Sequence, residues 1–65
     1  MFTGNKVKDV VDVNETKQFS VFNTHTKYTT QEFIGNAKDV LEKYGSEYVV
    51  TVEENEKGID IFIWK

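Results

Sequence analysis

The chain has no cysteine, no proline and no arginine, and a single histidine, His25. Without cysteine there is neither a disulfide nor a thiolate metal site. Without arginine it lacks the planar fork that best grips phosphates and base edges, which argues against a dedicated reader of nucleic acid. One imidazole with no carboxylate beside it in sequence makes a poor metal site. His25 sits in "NTHTK", where an exposed loop residue and a ligand or acid–base group are both open readings. No stretch approaches the run of about 18 apolar residues that spans a bilayer, and "MFTGNKVKDVV" has no apolar core of signal-peptide length. The expected location is therefore cytoplasmic, with no membrane contact.

Catalytic equipment is equally sparse. A nucleophile needs a base and an orienting group within reach, and the chain offers two serines and the one histidine. There is no glycine-rich phosphate loop and no paired-histidine spacing. "EENE" (53–56) lacks the alternating oxygens and central glycine of a calcium loop. The expectation is a protein that is not an enzyme, with no cofactor, no metal and no small-molecule substrate.

What is present is a short chain of 65 residues with eight lysines, eleven acidic residues and a net charge of −3. That length predicts one domain, residues 1–65. A chain so small buries only about 60% of the surface exposed when unfolded. Small domains compensate with a disulfide, a metal or a partner subunit, and only the last survives the absences above. The abundance of Lys, Asn, Thr, Ile and Glu, with neither Arg nor Pro, has the coding bias of an AT-rich genome.

The hydrophobic pattern predicts an α+β fold of order ββαββ: a four-stranded, mainly antiparallel sheet with one helix packed on one face. "KVKDVVDV" (6–13) reads as a first strand, joined through "NETK" (14–17) to a second, "KQFSVFN" (17–23), with Phe19 and Val21 on one face and Phe22 on the other. In "YTTQEF" (28–33), Thr29 as N-cap and Glu32 three residues on form a capping box, with Tyr28 and Phe33 as a hydrophobic staple. Phe33, Ile34, Ala37, Val40, Leu41 and Tyr44 continue as a helical stripe. Gly45 follows as a left-handed stop. Gly35 inside the helix would cost about 1 kcal/mol against alanine; a tolerated imperfection and a close approach to another backbone are both open readings of it. "EYVVTVEE" (47–54) and "GIDIFIW" (58–64) read as a hairpin whose "NEKG" loop places Gly58 in a left-handed position. The pairing is Glu54 with Ile59, Val52 with Ile61 and Val50 with Ile63. Tyr48, Val50, Val52 and the three isoleucines then share the face that meets the helix.

A single helix covers one face of such a sheet. The other face would carry Phe22, Val49, Thr51, Phe62 and Trp64, with Val10 beside them and Glu53 and Asp60 at the margin. An exposed apolar cluster of several hundred Å² usually marks an interface, and aromatic side chains are its enriched anchors. The competing reading is that Phe2 and the "MFTGN" segment fold over Phe62 and Trp64. The expected partners are a second copy of the chain, a host protein, or both.

In size, composition and strand–helix order the chain resembles small acidic accessory proteins of phages from low-GC bacteria, which often bind and block one host protein. "KQFSVF" followed by "TTQEF" and a helix also resembles the small, dimeric, acidic phage inhibitors of uracil-DNA glycosylase. These resemblances imply a non-catalytic inhibitor of a host defence or DNA-processing protein. Two alternatives accompany it. One is an acidic DNA mimic, using Asp39, Glu42, Glu47, Glu53, Glu54, Glu56 and Asp60. The other is a binder of single strands that stacks bases on Phe22, Phe62 and Trp64, which an acidic chain without a basic groove disfavours.

Overall fold

The computed structural model describes residues 5–24 and 29–64. His25, Tyr28 and Phe2, with the loop, staple and covering roles expected of them, lie outside the described residues. The elements in chain order are α1 (Val7–Val10), β1 (Gln18–Asn23), β2 (Thr30–Gly35), α2 (Ala37–Tyr44), β3 (Tyr48–Asn55) and β4 (Gly58–Trp64). The strands form one sheet in the order β2-β1-β4-β3. Both outer pairs are antiparallel and the central β1–β4 pair is parallel. The fold is thus a small α+β mixed sheet, mostly antiparallel, with one main helix, and β1-β2-α2-β3-β4 keeps the ββαββ order.

The two strands before the main helix are not the two expected. Residues 6–13 supply α1 instead of a strand. Val7 and Val11, four apart, turn into the core, while Val10 and Val13 stay exposed. Asp9 accepts a hydrogen bond from the Lys6 amide at 3.0 Å and so closes the first turn. The amides of Val7 and Lys8 donate to the carbonyls of Glu47 (2.9 Å) and Gly45 (3.1 Å). Unpaired donors at the start of α1 thereby meet unpaired acceptors just beyond α2, and each set satisfies the other. This tertiary exchange outweighs the strand preference of four valines.

The second correction concerns residues 30–35, which form β2 and not the first turns of the helix. Thr29 caps nothing there. Asn36 is the N-cap, its side chain accepting from the Asp39 amide at 2.8 Å. Gly35 ends the strand opposite Phe19, and Phe33 lies opposite Val21, so β2 supplies the antiparallel neighbour that residues 6–13 were expected to provide. Gly45 keeps right-handed angles (φ −52°, ψ −32°); α2 stops where Glu47 N–H bonds back to the Tyr44 carbonyl. Gly58 has φ +158°, and a Cβ there would lie 2.2 Å from the Gln18 carbonyl oxygen. The demand for glycine comes from the close approach of β1 to β4 as well as from the hairpin turn.

The core lies on one side of the sheet. Phe19, Val21, Ile61, Ile63 and Val49 meet Val7 and Val11 from the α1 segment and Ala37, Val40 and Tyr44 from α2. Phe33 packs against the same cluster, its ring 5.9 Å from that of Tyr44.

Candidate functional site

The opposite face of the sheet is built by residue parity along the four strands. In the central parallel pair, Phe22 lies beside Phe62. Their rings stack with centroids 4.9 Å apart and planes 17° from parallel, an arrangement that aromatic quadrupoles favour when slightly offset. Thr51 pairs with Phe62 from the other side. Trp64 closes the row at the end of β4, opposite Tyr48. Tyr48 and Trp64 are 48% and 44% exposed. The Lys6 ammonium stands 5.5 Å from the Tyr48 ring centre, a cation–π contact. Ile34, opposite Ser20 on this same face, is 47% exposed.

Phe22, Thr51, Phe62 and Trp64 are therefore brought together as expected, and Val49 is not. A bulge falls between Val49 and Thr51. It inserts one residue, so Val49, and not Val50, pairs with Ile63. Side chains beyond a one-residue slip change face. Val49 goes into the core at 1% exposure, and Tyr48 comes out beside Trp64. Tyr48 and Ile34 are the members of this face that sequence reasoning missed. Alternation in "TQEFIG" would have found Ile34. Only the bulge, which has no local signature here, reveals Tyr48. Val10 is exposed on α1, away from this patch.

The face has two ends. Phe22, Phe62, Tyr48 and Trp64 make the aromatic end, Phe22 and Phe62 half-buried and Tyr48 and Trp64 exposed, and clustered apolar surface of this kind marks interfaces. Toward the start of β4 it turns polar, with a shallow hollow of about 240 Å³ bordered by Gln18, Ser20, Gln31 and Asp60. Asn55 donates to Asp60 there at 3.2 Å. No cluster of three or more histidine, cysteine or carboxylate side chains suited to a metal exists among the described residues, and no helix among them is long and apolar enough to cross a membrane. What this face can offer chemically is ring stacking and apolar burial.

The seven carboxylates expected of a DNA mimic are spread over several elements. Asp39 and Glu42 lie on α2, Glu47 precedes β3, and Glu56 sits in the β3–β4 turn. Glu53 and Asp60 pair on the aromatic side of the sheet, whereas Glu54 pairs with Ile59 on the core side. "TTQEF", expected to open the helix, leads into and lies along β2, so the strand–helix resemblance drawn through it does not hold at those residues.

Comparison with protein-family models, with curated proteins and with solved structures gives no match to this chain. Fold and face together define a small α+β domain that carries an aromatic surface opposite its helices.

Proposed function

We propose that the protein is a non-catalytic binding domain acting through the helix-free face, which docks a second copy of the chain or the surface of a protein partner. The supporting observation is the stacked Phe22–Phe62 pair flanked by Tyr48 and Trp64 on a face that neither α1 nor α2 covers. Aromatic anchors at the centre of a patch carry a disproportionate share of association energy, and they lose little side-chain entropy on docking. A stable dimer buries roughly 800 Å² per subunit, which requires the polar end of the face as well as the aromatic end. The small acidic composition fits an inhibitor of a host defence or DNA-processing protein, encoded by a phage or another mobile element.

The test is solution mass by light scattering across a dilution series, with Trp64→Ala and Phe62→Ser beside the parent. The parent should dimerise, and each variant should weaken association by about 2 kcal/mol. Added salt at 0.5 M should leave apolar docking intact, whereas a charge-driven mimic would lose its partner as the screening length shrinks to a few Å. A parent that stays monomeric, and whose captured partners are unchanged by both substitutions, rules the reading out.

A further inference from the structure

We propose that the other side of the sheet carries a second docking site, which takes an apolar side chain flanked by lysine or arginine from a protein partner. It goes beyond the aromatic face and does not rest on it. Helix α2 is eight residues long, or about 12 Å, and packs over β1. The four-residue α1 ends at Val10. The outer part of the β3–β4 hairpin is left without a helix above it.

A groove of about 190 Å³ opens there. The buried side chains of Phe19 and Ile61 form its floor, and Val10, Val52 and Ile59 form its walls. Val10 and Val52 are each 40% exposed. They come from distant parts of the chain and converge on this one hollow. Small-molecule sites run to about 300–1,000 Å³, which this groove does not reach. Its size suits one or two side chains of a protein partner.

Charge decides the kind of occupant. The rim carries Asp12, Glu15 and Glu54. Among the described residues, the one ammonium paired to that rim is Lys17, on Glu54, and three carboxylates against one cation leave the rim negative beside an apolar floor. A second copy of this chain, with net charge −3, meets like charge there. A segment alternating apolar and basic residues matches both the floor and the rim.

The probe is a capped lysine–leucine–lysine–leucine–lysine peptide titrated into the isotopically labelled full chain and followed by amide NMR shifts. Saturable shifts should cluster at Val10, Val52 and Ile59 and shrink in 0.5 M salt. The glutamate–leucine counterpart should produce none. Val52→Lys places a cation in the groove on an edge strand, a position where lysine is well tolerated, and should weaken peptide binding about tenfold. The double variant Glu15→Gln, Glu54→Gln should weaken it and remove its salt dependence. Trp64→Ala, on the opposite face, should leave it unchanged, which separates this site from the aromatic one. Equal binding of the glutamate peptide, shifts confined to the Phe62 side, or dilution-dependent shifts at Val10 and Val52 without peptide would each overturn the proposal.

Discussion

Replacing Gly58 by alanine tests the join at the centre of the sheet. A methyl group at this position would lie 2.2 Å from the Gln18 carbonyl oxygen and 3.2 Å from its carbon. Neither atom belongs to a side chain that could rotate away. Relief requires β1 and β4 to separate where Gln18 faces Gly58. The backbone angle of +158° adds about 1–3 kcal/mol for any residue with a Cβ. Losing two ladder hydrogen bonds adds about 0.5–1.5 kcal/mol each. The expected cost is about 4 kcal/mol, against a total stability of about 3–10 kcal/mol for a chain of this length. Urea denaturation followed by far-ultraviolet circular dichroism would read it as a midpoint lowered toward zero.

Two companion variants sharpen the outcome. In a hairpin with Gly58 in the left-handed region, Gly58→Asn would be well tolerated; here it should fail as alanine does. Gly35→Ala meets only the outer atoms of the Phe33 ring, at 2.7 Å, and should cost less because a ring can turn. If Gly58→Ala keeps its unfolding free energy within about 1 kcal/mol of the parent's, the parallel pairing of β1 with β4 is wrong.

Asn36→Ala should destabilise by about 1 kcal/mol through loss of the α2 cap, whereas Thr29→Ala should stay within about 0.5 kcal/mol; chemical denaturation distinguishes them. Val49→Ala should cost about 2 kcal/mol as a core truncation, and Val52→Ala under about 1 kcal/mol, since Val49 is 1% exposed and Val52 40%. The Lys17 ammonium is held above its ordinary pKa, chiefly by its hydrogen bond to Glu54 and further by the charges of Glu54 and Glu15, with desolvation opposing. The charged form is the one favoured by folding, so this contribution is complete at neutral pH and fades only as pH climbs through the raised value. An NMR titration of Lys17 should therefore show its pKa fall in Glu54→Gln; an unchanged value would mean the pair does not form in solution.

Which parts of this fold could be read in advance depends on how far each contact reaches. The β3–β4 hairpin was legible from Glu54 to Val52 because loop length and alternation agree on one register there. β1 and the stretch from Ala37 to Tyr44 were legible by period alone. The start of the helix was misplaced because "TTQEF" satisfies capping chemistry locally, and only the distant edge at Phe19 and Val21 makes it a strand. The α1 segment was misread for the same reason: its amides are answered by Gly45 and Glu47, far along the chain. At the aromatic face, parity alone assigned Phe22, Thr51, Phe62 and Trp64. The exchange of Val49 for Tyr48 turns on a single inserted residue that no periodicity announces.

The parallel join of β1 and β4 also governs the order in which the molecule can assemble. Beyond β2, residues 18–23 find their other neighbour in residues 58–63, so a chain in synthesis can pair β1 with β2 but cannot complete the sheet until β4 has been made. Such long-range closure slows folding and leaves strand borders open in the interval. During that interval Phe22 has no Phe62 to stack on. A newly made copy is therefore most vulnerable to mispairing with its neighbours just before synthesis of β4 is complete.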